Sequence, residues 1–293
     1  MGAIPHFISD TMNSETKKTF VMLLPALIAM LLFLIPLYHM IRLSFLDSDF
    51  QFAGLDAYRD VFSDPNIVNS FLFTLMIAFV STLISAILAI VVAMALRRTF
   101  VGKKLAVFLF QFNIPIPQIA FTMMVLLLLL NTGFLSRMFY SFGFISSASD
   151  FPVLVYDRFG VGIIVSYVLK FIPFIGMSIL AILQNSAQEY EDQSQVLGAN
   201  RFQTFIHILL PMIMPALAST TIITFAYAFG TFEVPMLIGG SENLALPVMA
   251  YIDYTSIDPT KRPISYAMCS LMTLFILILS SAYALMMSRG ERR

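Results

Sequence analysis

The sequence is poor in charge. Asp, Glu, Lys and Arg make up 12% of its 293 residues, against about 25% in a soluble domain. The 17 basic and 17 acidic side chains cancel, so no global field draws the chain to nucleic acid. A single cysteine, Cys269, lies in an apolar run, which excludes an intramolecular disulfide framework and a cysteine-based metal cluster. Tryptophan is missing, leaving Tyr and the basic residues as interfacial anchors. No G-x-x-x-x-G-K-[ST] phosphate loop occurs: Gly102-Lys103-Lys104 lacks both the upstream glycine and the following hydroxyl. No H-E-x-x-H or G-x-S-x-G is present, and His6, His39 and His207 are far apart. These absences argue that the chain itself hydrolyses nothing and needs no cofactor or metal of its own.

What is abundant is apolar. Hydrophobic residues reach 59%, with 29 Phe and 19 Met, and the mean hydropathy is +0.86. The lipid bilayer is the solvent such a surface requires. Six stretches reach the roughly 20 residues needed to cross it: Phe20 to Ile41, Val68 to Leu96, Leu105 to Leu130, Val161 to Leu183, Met212 to Leu237 and Ile264 to Met287. The expected fold is an all-α membrane bundle of six transmembrane helices. The second stretch is long enough to tilt or protrude. The third holds Asn113, Pro115, Pro117 and Gln118, which predict a kink or break tolerated where protein or a cavity surrounds it. No soluble domain fits between the spans.

The first apolar run is too long for a signal peptide's core of about 7–15 residues, so residues 1–19 read as a tail before a retained span. Placing both termini in the cytoplasm puts Lys17, Lys18, Arg97, Arg98, Lys103, Lys104, Arg201, Arg289, Arg292 and Arg293 inside. Arg42, Arg59, Arg137, Arg158, Lys261 and Arg262 fall outside, and Lys170 lies within a span. That bias satisfies the positive-inside rule. The expected organisation is a tail (1–19), a six-span domain (20–288) with a cytoplasmic loop at about 184–211, and a second tail (289–293).

That loop is a polar island, Gln188 to Phe202, followed by Phe205-Ile206-His207-Ile208-Leu209-Leu210-Pro211. Glu189, Glu191 and Asp192 at the start of a helix would complement its positive dipole end. Gly198 permits a turn from which a second short helix begins near Asn200. Phe202, Phe205, Ile206 and Leu209 recur at roughly helical spacing and predict one apolar face. Such a helix–turn–helix can present a knob to a groove on a partner; an ordinary connecting loop with good caps accounts for the same residues equally well.

Two charges fall within the spans: Lys170 before Pro173, and Glu233 between Gly230 and Pro235. Charges at such depth face a cavity or a partner, and helix breaks beside them would expose backbone groups to a solute pathway. The competing reading is a structural pair, with Glu233 reaching the interface and Lys170 snorkelling on its long stem. Asn113 and Gln118 are further pathway candidates.

The island resembles the coupling loop of permeases from binding-protein-dependent ATP-binding-cassette (ABC) importers, whose pattern is E-A-A-x-x-x-G-A, then an aromatic residue and I-x-L-P. Here Asp192-Gln193-Ser194 replaces Glu-Ala-Ala, while Gly198-Ala199, Phe205, Ile208, Leu210 and Pro211 match. The segment 50–71 is similar to the family's outer loop through Gly54, Leu55, Tyr58, Phe62, Asp64 and Pro65, and Pro173-Phe174 also resembles it. Leu197, where sugar permeases carry Asp, looks like the branch importing polyamines, ferric ion and similar charged solutes. So do Phe229 to Gly240, Leu246-Pro247-Val248 and Arg262-Pro263.

The resemblance implies a type I importer permease of the bacterial cytoplasmic (inner) membrane. Its partners would be a cytoplasmic ABC ATPase dimer that binds ATP and Mg, a second permease subunit (a homologue or the same chain) and an external solute-binding protein. The coupling residues would be Glu189, Glu191, Asp192, Gly198, Ala199, Phe205, Leu210 and Pro211. A sugar permease is the alternative within the family, and a secondary transporter the alternative outside it. One intramembrane acid and no evident repeat weigh against the latter.

Overall fold

The computed structural model describes residues 4–185 and 187–290; the outermost residues of both expected tails, 1–3 and 291–293, lie outside it, as does Ser186. Apart from loops and one isolated bridge between Leu46 and Phe52, the described chain is helical. Thirteen α-helices follow in order: α1 (Ile4–Leu43), α2 (Asp56–Ser63), α3 (Pro65–Leu96), α4 (Lys103–Gln111), α5 (Gln118–Leu129), α6 (Phe134–Ser141), α7 (Val161–Asn185), α8 (Ala187–Val196), α9 (Arg201–Thr204), α10 (Leu210–Gly230), α11 (Glu233–Ile238), α12 (Leu246–Thr255) and α13 (Lys261–Gly290). Six segments are long and apolar enough to cross a membrane: Val21–Leu43, Pro65–Leu96, Gln118–Ser141, Val161–Gln184, Arg201–Gly230 and Lys261–Met286. The chain is a multi-pass membrane protein.

The bundle is built around α3 and α7. Lipid tails are as apolar as leucine, so hydrophobicity alone cannot choose the buried face of a span; small side chains that let backbones approach do so. On α3 the buried stripe is Ser70, Thr74, Ala78, Ser81, Ser85, Ala89 and Ala93. The buried hydroxyls of Thr74, Ser81 and Ser85 bond to carbonyls four residues back. The opposite face of α3, with Leu72, Phe79, Leu83, Ile87 and Val91, is exposed. By contrast none of the most hydrophobic window of α1 is buried, and the helix touches the bundle mainly at α13.

The motifs of the outer segments have local physical causes. Asp64 caps α3 by accepting from the Asn66 N–H at 2.8 Å, and Pro65 occupies the first turn, where no N–H is needed. The Tyr58 hydroxyl lies 2.7 Å from that of buried Ser44, pinning α2 to the end of α1. Leu246 at the start of α12 donates its N–H to Thr74 Oγ1 at 2.8 Å, tying this short helix to α3.

The third apolar stretch breaks at 112–117, one of the two expected outcomes, because Pro115 and Pro117 remove two helical donors. One boundary differs from expectation. The fifth span does not begin after Pro211. A π-turn over Phe205–Leu209 joins α9 to α10, with the Leu210 N–H donating to Phe205 O, five residues back. The widened turn accommodates the proline without breaking the rod, so helix runs from Arg201 to Gly230.

Candidate functional site: a coupling knob and an intramembrane seam

The segment after α7 folds as expected at its turn. α8 ends in a Schellman motif: Gly198 N–H donates to Gln195 O and Ala199 N–H to Ser194 O, both at 3.0 Å. Gly198 has φ +86°, and no atom lies within 4 Å of where a Cβ would stand. The glycine is therefore needed for its backbone conformation and not for space. A capping box then starts α9: Asn200 Oδ1 accepts from Gln203 N–H, and Gln203 Oε1 from Asn200 N–H, each at 2.9 Å.

The acids divide their tasks differently from the expectation. Only Glu189 sits in the first turn of α8. Asp192 lies further along on the exposed side. Glu191, one turn short of the Schellman motif, pairs with Arg97 from the end of α3 at 2.5 Å, and both side chains are largely buried (15% and 12% exposed). A second tie, Ser194 Oγ to Thr204 Oγ1 at 2.8 Å, is buried and locks α8 to α9. Neither Arg97, Ser194 nor Thr204 was singled out from the sequence; Arg97 stands 94 positions from its partner.

The expected single apolar face is split. Leu209 is buried and Phe205 packs against the core, whereas Phe202 and Ile206 point outward. The reason is the π-turn, which shifts the angular register between Phe202 and Leu209. With Val196 and Leu197 (each 88% exposed) and Phe202 (72%), the turn forms an uncovered apolar knob at the foot of the fifth span. Ala199 closes the Schellman motif, Leu210 is half-buried, and Pro211 is exposed at the base of α10.

Three of the four intramembrane candidates come together. Pro173 lacks an N–H, which would otherwise bond to Leu169 O within α7. Asn113 Nδ2 donates to that carbonyl instead, at 2.8 Å. In return the Lys170 ammonium donates to the carbonyls of Asn113 (2.9 Å), Ile114 (3.3 Å) and Ile116 (2.6 Å), freed by the α4–α5 break. It also lies 5.4 Å from the Phe121 ring centroid, within cation–π range. Each of two proline-broken segments thus supplies what the other is missing.

This seam forms one wall of a cavity of about 360 Å³ that includes Gln118, Phe174, Thr224 and Tyr227. The Oδ1 of Asn113 and Oε1 of Gln118 are buried without partners. Glu233 does not line this cavity. It is the half-buried first residue of α11, and no described residue forms an ion pair with it. Among the described residues no group of His, Cys, Asp and Glu could hold a metal ion.

A six-span helical bundle with a capped helix–turn–helix at one end and a proline-broken seam beside an open cavity defines a membrane transport subunit. Residues 65–292 match the family described as the binding-protein-dependent transport system inner membrane component. The chain belongs to this family and is a permease subunit of the ABC importer class. It is 25% identical over 237 residues to the sulfate transport system permease protein CysT of Salmonella typhimurium, covering 80% of this chain and 82% of the relative. It is 29% identical over 218 residues to a putative ferric transport system permease protein, FbpB 1, of Haemophilus influenzae, covering 74% of this chain and 32% of that longer protein. In architecture it is similar to a chain of a bacterial ABC transporter that imports the acidic polysaccharide alginate, with a TM-score of 0.74, 19% identity and 96% of each chain covered.

Proposed function

We propose that this subunit lies in a bacterial cytoplasmic membrane with both termini inside, and that the knob at Val196, Leu197 and Phe202 docks on a separate ATPase that binds ATP and Mg. The observation that carries the reading is that knob: three large apolar side chains held at the foot of the fifth span by a Schellman motif, a capping box and two buried ties, with no described residue covering them. Rigid presentation of an apolar anchor is what a partner groove needs. Closure of two ATPase subunits would displace the knob, and the continuous helix from Arg201 to Gly230 carries that displacement into the bundle. A second permease subunit, a copy or a homologue, would complete the pathway, and an external binding protein would deliver the solute.

The solute is a small charged one, of the ferric-ion, sulfate or polyamine kind. The small cavity beside the seam and the sulfate and ferric roles of the relatives support this class. The sugar-importer alternative is less well supported, since Leu197 stands where sugar permeases carry Asp.

Replacing Gly198 tests the docking. A β-branched residue at φ +86° costs about 1–2 kcal/mol, with no clash to add. In the reconstituted transporter Gly198→Val is expected to insert normally but to lose ATPase association and solute-stimulated ATP hydrolysis. Gly198→Asn, which tolerates this conformation, should retain most of both. Wild-type coupling in Gly198→Val would refute the docking role. Uptake of labelled ferric ion, sulfate, spermidine and maltose by the same proteoliposomes separates the solute classes, and uptake of maltose alone would move the chain to the sugar branch.

A further inference from the structure

The end of α3 meets the coupling segment across a polar cavity of about 270 Å³, lined by Arg97, Arg98, Arg201, Glu191, Gln195 and Thr204. Three guanidinium groups share it with one carboxylate. Glu191 engages only Arg97 Nη2, and Arg97 Nε is buried with no acceptor. The side chains of Arg98 and Arg201, both exposed, have no hydrogen bond or ion pair with any described residue. Guanidinium groups gathered around one cavity repel unless a counter-anion sits among them, and their planar forks match the oxygens of a tetrahedral oxyanion.

The depth of the cavity is equally informative. Arg97 is the first polar residue after the 32-residue apolar helix α3, so these cations stand where a span leaves the hydrocarbon core. Basic pockets between spans at that level recognise anionic headgroups. Lys103, whose ammonium donates to Arg97 O at 3.1 Å, holds the following basic loop against the same rim.

We propose that this cavity binds a phosphate oxyanion, carried by the headgroup of an anionic phospholipid, between α3 and the coupling segment. The bound anion would join Arg98 of the span to Arg201 of α9, beside the direct Arg97–Glu191 tie. The site does not depend on ATPase docking, because its residues are assembled within this one chain.

The test is native mass spectrometry of the full chain in neutral detergent, with equimolar phosphatidylglycerol and phosphatidylcholine. Wild type should retain phosphatidylglycerol in preference. Arg98→Ala/Arg201→Ala should lose that preference at least about tenfold, the worth of one charge-assisted hydrogen bond. Arg98→Lys/Arg201→Lys should keep part of it, and Arg137→Ala, in exposed α6, should keep it all. Unchanged melting of the double-alanine variant shows that the loss is not unfolding. A parallel melt with millimolar inorganic phosphate identifies the source: protection by phosphate without lipid preference assigns the site to the free ion. Equal retention of both lipids together with no phosphate protection overturns the proposal. So does release of the lipid when the ATPase binds, which would place a partner side chain in the cavity.

Discussion

The reciprocal seam between the α4–α5 break and α7 makes a sharp prediction. Lys170 spends all three ammonium donors on carbonyls at 2.9, 3.3 and 2.6 Å. A hydrogen bond to a charged group is worth about 1.5–3 kcal/mol net, and partial exposure lowers this. Lys170→Ala should therefore cost on the order of 3 kcal/mol, or roughly 5 °C of melting temperature for a chain of this size. Asn113→Ala removes one bond and should cost about 1 kcal/mol, because it leaves Leu169 O unanswered. The particular consequence lies in Pro173. Pro173→Ala restores an N–H able to bond to Leu169 O within α7, so Asn113→Ala should lose most of its effect in that background. Melting of the four proteins of this cycle in detergent, with Lys170→Ala alongside, measures the coupling. If Asn113→Ala destabilises equally with and without Pro173, or if Lys170→Ala melts like wild type, the reciprocal account fails. A Lys170→Ala protein of unchanged stability but raised uptake KM would return this residue to the solute pathway.

Three further outcomes are expected. Arg97→Glu and Glu191→Arg should each destabilise by about 3–5 kcal/mol, the usual consequence of breaking a largely buried pair; the double swap should recover part of the loss, and additive losses in thermal melts would contradict the pairing. Single cysteines at exposed Val196 and Ser241, in a Cys269→Ser background, should react with a membrane-impermeant thiol reagent from opposite sides; labelling of both from outside would exclude the proposed topology. Glu233→Gln should reduce uptake of a cationic solute several-fold while sparing assembly and basal ATP hydrolysis, and full uptake at matched expression would make Glu233 a structural residue.

Much of this was legible in the sequence, for identifiable reasons. The spans follow from hydropathy, the interruption at 112–117 from two prolines, and the α8–α9 turn from Gly198 followed by Asn200. These are local signals, each acting within one or two helical turns. What could not be read depends on which distant segments meet. Lys170 answers carbonyls more than fifty residues away, and Glu191 finds Arg97 across the end of the bundle. The face containing Phe202 and Leu209 was misjudged because an ideal period of 3.6 was carried through a segment that Pro211 widens into a π-turn. Lys170 and Asn113 read as pathway residues because a charge and an amide within a span signal function; that they also complete the backbone hydrogen bonding around Pro173 and the 112–117 break needed the three-dimensional pairing.

The uninterrupted helix from Arg201 to Gly230 has a mechanical consequence. Thirty residues at about 1.5 Å each make a rod some 45 Å long. One end carries the apolar knob and the other stops two residues before α11, beside Glu233. Pivoted near one end, such a lever turns a 10° tilt into roughly 8 Å of travel at the other. Had Pro211 broken the chain into two helices joined by a loose joint, the stroke would have been absorbed there. The π-turn lets a proline sit at the base of the lever while the helix stays continuous.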